Sequence, residues 1–126
     1  MNKLREKILT SKDLKSVIET VPEFGNAKLE LREMTAAQRG LFQRSVTIDE
    51  KGRAELPEYY VTAIALGVHD PATGEPVFTL DDRQALFEKG FRVIERLGKK
   101  LLALSAIGKN DEPEGAEGTD PEPPSV

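Results

Sequence analysis

The residues able to support chemistry are few and scattered. His69 is the single histidine and is followed by Asp70, pairing a general base with an orienting acid. A hydrolytic triad also needs a nucleophile on a sharp strand-to-helix turn, and no Gly-x-Ser-x-Gly run is present. The pair therefore reads as a histidine at the edge of a turn. Asp81-Asp82, with Asp70 and Glu75 nearby, offer oxygen ligands to a hard cation, but their spacing does not match an EF-hand loop. A capped helix start accounts for both aspartates without metal. Gly67 and Gly74 do not form a phosphate loop, because Gly74 is followed by Glu75 where a Walker sequence needs Lys-Ser/Thr. Tyr59-Tyr60 beside Arg53 offer surfaces on which bases stack. At a helix start, two tyrosines serve a core edge or a protein interface more readily. The expectation is a chain that is not an enzyme, with no catalytic, cofactor or metal residues.

The charge distribution divides the sequence in two. All 18 Lys and Arg fall in residues 1–109, while six of the 22 acids fall in 110–126. The first part is therefore about +2 and the second about −6, giving the net charge of −4. Residues 110–126 have almost no apolar side chains and several Pro-Glu steps, the composition of a disordered tail. Residues 1–109 are enough for one core. Basic and acidic residues alternate through Lys28–Glu33 and at Glu95-Arg96, as on a solvated face, which argues against nucleic acid. There is no cysteine, so no disulfide framework or thiolate site. No apolar run reaches the ~18 residues of a membrane span, and Met1–Ile8 is charged where a signal peptide would be apolar. The expected compartment is the cytoplasm.

The elements follow from periodicity. Residues 2–9 form a short amphipathic helical turn with Leu4, Ile8 and Leu9 on one side. Residues 17–21 are a β-branched strand, Pro22–Asn26 a turn, and Ala27, Leu29 and Leu31 alternate with charges as one face of a second strand, completing a β-hairpin. Thr35-Ala36-Ala37-Gln38 has the form of a capping box. The helix after it groups Leu41, Ser45 and Ile48, with Phe42 and Val46 alongside, and ends at Asp49–Gly52. A second helix starts near Pro57 and carries Tyr60, Val61, Ile64, Ala65 and Val68, with a strand as the alternative for Val61–Ile64. Asp70–Pro76 is a turn, Val77-Phe78 a short extended piece, and Thr79 a cap with Asp81 and Asp82 in the first helical turn. The last helix carries Phe87, Phe91, Ile94, Leu97, Leu101 and Leu104, widened by Leu86, Val93, Leu102 and Ile107. About 28 residues would span roughly 42 Å, so the helix bends near Gly90 or Gly98 or meets a partner. The fold class is α+β: a small N-terminal β-hairpin packed with about three helices, a long amphipathic last helix and a disordered tail.

Taken together, several segments resemble the tail assembly chaperones of long-tailed, siphovirus-type bacteriophages and prophages. The resemblance covers about residues 10–107. It lies in Val21-Pro22-Glu23-Phe24-Gly25 leading into a strand and Leu31-Arg32-Glu33-Met34-Thr35 opening a helix. It continues through Ala63–Thr79 and an amphipathic helix closing with Ile94-Glu95-Arg96-Leu97 and Leu104-Ser105. The resemblance implies a small non-catalytic α+β protein of the host cytoplasm that oligomerises. It also implies that the protein binds and shields the tape measure protein until tail tube protein polymerises around it. Helix-in-groove recognition would suit that task. Phe87 and Phe91 are assigned to the core, and Leu101, Leu102, Leu104 and Ile107 to partner binding. The resemblance further implies a frameshifted longer form: Gly108-Lys109-Asn110 can be encoded GGA-AAA-AAC, which contains a slippery heptamer. Codons that cannot slip would remove that idea. The alternatives are a head–tail connector or tail-terminator subunit, and a small DNA-binding regulator, although residues 57–68 contain no Lys or Arg.

Overall fold

The structure is a computed structural model that describes residues 2–52 and 54–107. The expected tail, the Gly108-Lys109-Asn110 slippage point and Arg53 lie outside the described residues. The elements run α1 (Lys3–Thr10), β1 (Ser16–Val21), β2 (Ala27–Arg32), α2 (Ala36–Ser45), α3 (Leu56–Gly67), β3 (Val68–His69), α4 (Arg83–Phe87) and α5 (Phe91–Leu104). One-turn 3₁₀ segments, Pro22–Phe24 and Leu80–Asp82, join β1 to β2 and lead into α4.

The hairpin forms as its alternation predicts. β1 and β2 pair antiparallel, with Val17 opposite Leu31, Glu19 opposite Leu29 and Val21 opposite Ala27. Gly25 and Asn26 take positive φ (67° and 61°) to reverse the chain, as two residues with little steric penalty in that region can. β3 adds to the other edge of β2, Val68 opposite Leu31 and His69 opposite Glu30. The sheet is thus three-stranded, with β1 at one edge. The two-residue β3 was hidden in the sequence because Val68 continues the helical spacing of α3.

α3 occupies the centre. Tyr59 through Ala65 are all buried, which explains a helix apolar on every side. Thr62 is buried too; its hydroxyl donates to the Glu58 carbonyl (2.7 Å) and accepts from Arg83 Nη1 (3.2 Å). Arg83 Nη1 also donates to the Ser45 carbonyl at 2.8 Å, tying α4 to the end of α2. α5 crosses α3 at Gly98, where an added Cβ would lie 2.6 Å from the Tyr60 Cβ. Only glycine allows that approach.

Three expectations about helices are corrected. α2 ends at Ser45, so its stripe is Phe42 with the following Val46, while Ile48 is 51% exposed. The β-branched run Val46-Thr47-Ile48 disfavours helix, and the Thr47 N–H donates to the Glu58 carboxylate at 3.0 Å. The 28-residue last helix is two helices, divided at Gly90, one of the two places expected for a bend: Gly90 is extended (φ −60°, ψ 138°) and begins α5 anew. Consequently Leu86 enters the core from α4, whereas Phe87 (42% exposed) and Phe91 (48%) are left outside. The division expected for the last helix is reversed: Leu101, Leu102 and Ile107 are buried in the core, and only Leu104 is half-buried. Ile107 returns to the core through a Schellman ending, its N–H donating to the Leu102 carbonyl (2.9 Å) and that of Ala106 to Ala103 (3.1 Å). Ala106 takes φ 57° to make that turn.

The capping boxes hold. Thr35 and Gln38 satisfy each other's backbone amides at 3.1 and 2.9 Å. Thr79 and Asp82 do the same at the 3₁₀ turn before α4.

Candidate partner-binding surface

The groups considered for chemistry are not assembled into a reacting centre. His69 ends β3 at the edge of the Asp70–Glu75 turn, as expected, and is buried there, with Nδ1 3.1 Å from the Gly67 carbonyl. Asp70 accepts from the Ala72 N–H and Asp82 from the Thr79 N–H, each closing its own turn. Among the described residues no group of three His, Asp or Glu lies close enough to hold a metal ion. Tyr59 is packed edge-on against Phe42 (ring centroids 4.9 Å, 69°), and Tyr60 is buried against Phe91 at 6.3 Å. Neither tyrosine presents a ring face to a base. Among the described residues no helix is long and apolar enough to cross a membrane.

What the surface does offer is an apolar groove between the hairpin turn and α4. Phe24, Ala27 and Leu29 form one wall, and Phe78, Ala85 and Leu86 the other, around about 420 Å³. The hairpin supplies its wall because Ala27 and Leu29 share the sheet face turned towards the helices. α4 supplies the other because the break at Gly90 frees it from the axis of α5. The rim is charged: Glu23 and Asp82 on the acidic side, with Lys89.

The acidic rim is held in place from α5. Arg96 donates two hydrogen bonds to the Glu23 carboxylate, 2.9 and 2.8 Å, a bidentate pair that aligns the turn with the helix. These bonds, with a smaller backbone contribution, hold the Glu23 pKa down from 4.5 to about 2. Arg96 is correspondingly pushed up. The Glu23 carboxylate therefore stays ionised, and paired with Arg96, across the whole neutral range.

A second depression, about 480 Å³, lies between β1 and the end of α5, lined by Lys15, Val17, Glu19, Lys100, Ala103, Leu104 and Ala106. Lys100 bridges it, donating to both oxygens of Glu19 at 2.8 and 2.9 Å. Of the four residues singled out for partner binding, Leu104 lines this depression, and Leu101, Leu102 and Ile107 are interior. The groove residues Phe24, Ala85 and Leu86 escaped sequence reasoning, since nothing in the chain announces that the hairpin turn and α4 meet. The one available signal was Gly90.

No protein-family model matches this chain. A comparison with curated proteins likewise finds no match. Among solved structures, the chain is similar to the tail assembly chaperone of bacteriophage HK97, with a TM-score of 0.55 and 20% sequence identity, over 82% of this chain and 98% of that one. The described body thus has the fold of a phage tail assembly chaperone, the α+β arrangement that the sequence resemblance implied.

Proposed function

We propose that this chain is a non-enzymatic phage tail assembly chaperone that binds and solubilises the tape measure protein in the host cytoplasm during tail morphogenesis. The observation that carries the reading is the coincidence of a chaperone fold with an apolar groove of about 420 Å³ between Phe24–Leu29 and Phe78–Leu86. A long helical client that aggregates alone needs a surface that accepts many similar apolar ridges, and a groove walled by Phe and Leu does so through shape without demanding one sequence. The charged rim keeps the surface wetted at its edges and fixes the direction of approach. A longer frameshifted form and the tail tube protein are further partners on this reading, and the acidic residues 110–126 act as a solubilising extension.

The test is recovery of the tape measure protein with tagged chain from cells assembling tails. Ala85 is exposed on the groove wall, so Ala85→Glu should leave the fold intact and reduce recovery by about tenfold, the loss of one good apolar contact plus a desolvated charge. Unchanged recovery would show that the groove is not the surface. Finding the chain in finished particles, or recovering DNA alone, would replace the chaperone by a connector or a DNA-binding regulator.

A further inference from the structure

Positive charge is unevenly committed over the body. Residues 3–15 carry Lys3, Arg5, Lys7, Lys12 and Lys15 against Glu6 and Asp13 alone, about +3 in all. The five cations are exposed, and none of them pairs with a carboxylate among the described residues. α5 carries four, Arg92, Arg96, Lys99 and Lys100, but three of these have partners. Arg96 holds Glu23, Lys100 holds Glu19, and Lys99 lies 3.5 Å from Glu95. Arg32 is likewise held by Glu30 at 2.9 Å. The N-terminal segment is the run of cations left without anions.

We propose that the acidic residues 110–126 lie back over residues 3–15 of their own chain, an ion-paired cover that keeps these cations from nucleic acid. Charge selects this occupant: Asp111, Glu112, Glu114, Glu117, Asp120 and Glu122 stand in a stretch with no Lys or Arg. The point where the body ends selects it too. Ala106 and Lys15 line the same depression, so the chain leaves α5 beside the first cation it would meet. From Lys15 back to Lys3 the path is a five-residue connector and the eight residues of α1, about 30 Å at most. The 19 residues after Ile107 have a contour of about 60 Å, enough to reach all five cations.

Tethering favours the chain's own segment over that of a second copy, since a short linker gives about millimolar effective concentration. Each exposed pair is weak and screened, so the contact is a sum of several and loosens as salt rises. Nucleic acid is a polyanion that competes for the same cations, and it meets them already covered. The covered segment keeps an acidic excess of about −3, so the extension still repels other copies. The contact makes no use of the Phe24–Leu86 groove, so its failure would leave the client reading as it stands.

The chain has no cysteine, so a nitroxide on Thr119→Cys sits at one place only. In the full chain it should broaden the amide signals of residues 3–15 more than those of any other element. That broadening should be present at about 0.01 M salt and lost at about 1 M, as the Debye length falls from about 30 Å to about 3 Å. Broadening spread evenly over the body, or unchanged by salt, would overturn the proposal. So would broadening of an isotope-labelled chain by nitroxide carried on a second chain, which would place the extension on another copy. K3E/R5E/K7E/K12E/K15E should abolish the effect with the melting transition unmoved. D111N/E112Q/E114Q/E117Q/D120N/E122Q alters no described residue and should abolish it as well; broadening that survives these six changes would overturn the contact. At low salt the same six-fold variant should bind a short DNA duplex about tenfold more tightly than the parent. Reversing the five cations in that variant should remove the gain. Equal affinity of variant and parent, or a gain that survives the reversal, would overturn the covering role.

Discussion

α1 and α5 are both amphipathic helices, and they meet opposite fates. In α5, Val93, Ile94, Leu97, Leu101 and Leu102 are all buried, and the charged face of Arg92, Glu95, Lys99 and Lys100 looks outward or pairs across to β1. In α1, the equivalent stripe of Leu4, Ile8 and Leu9 stays largely exposed among the described residues. Periodicity states that an apolar side needs cover; it does not state which molecule provides it. α5 is covered because Gly98 lets it approach Tyr60 closely and because it also packs on β2. α1 is followed by a short connector that the Lys15–Glu33 bonds tie to the body. The one helix closes the fold, and the apolar side of the other is left exposed.

Substitutions along the two stripes should separate these roles. Leu101→Ala removes a fully buried side chain and should cost about 2–5 kcal/mol in denaturant unfolding. Gly98→Ala forces a methyl against Tyr60 and should cost about 1–3 kcal/mol by the same measurement, with α3 and α5 pushed apart. Ala106→Gly should instead stabilise by about 1 kcal/mol, because glycine adopts the positive φ of the α5 ending without steric penalty. Leu4→Asp should move stability by no more than about 0.5 kcal/mol, in contrast to Leu101→Ala. If Leu4→Asp unfolds the chain, α1 belongs to the core and the contrast between the helices fails. The smallest effect concerns the groove rim. With Arg96→Ala, the Glu23 carboxyl should titrate above its parent value of about 2, back towards its ordinary 4.5, in an NMR pH series. A carboxyl whose folded pKa is depressed stabilises the fold above its unfolded value, and that contribution disappears as pH falls from about 4.5 through about 2. The parent and Arg96→Ala stability curves should therefore converge at the acid end of that window.

Much of the fold could be read directly from residues. Thr35 and Gln38, or Thr79 and Asp82, sit three apart, and their caps involve only neighbours in the chain. The alternation of Ala27, Leu29 and Leu31 decided which face of β2 is buried, since a strand has only two faces. The last helix shows where such reading stops. A stripe from Phe87 to Ile107 looks continuous in projection, but Gly90 interrupts it and turns Phe87 and Phe91 outward. The groove was not legible at all, as Phe24 and Leu86 are far apart in sequence and have no shared pattern.

The sequence by itself determined the types of the longer elements, the caps, the turns at Gly25 and Gly74, and the absence of a cysteine framework. Each depends on interactions within a few residues, where propensity and spacing carry the energy. Tertiary structure alone decided which of several apolar stripes closes the core. Candidate stripes on α1, α4 and α5 compete for a limited interior, and helices can approach closely only where small residues such as Gly98 allow it. The placement of Leu101 inside and Leu4 outside is a property of the packed chain, settled by contacts among residues far apart in the sequence.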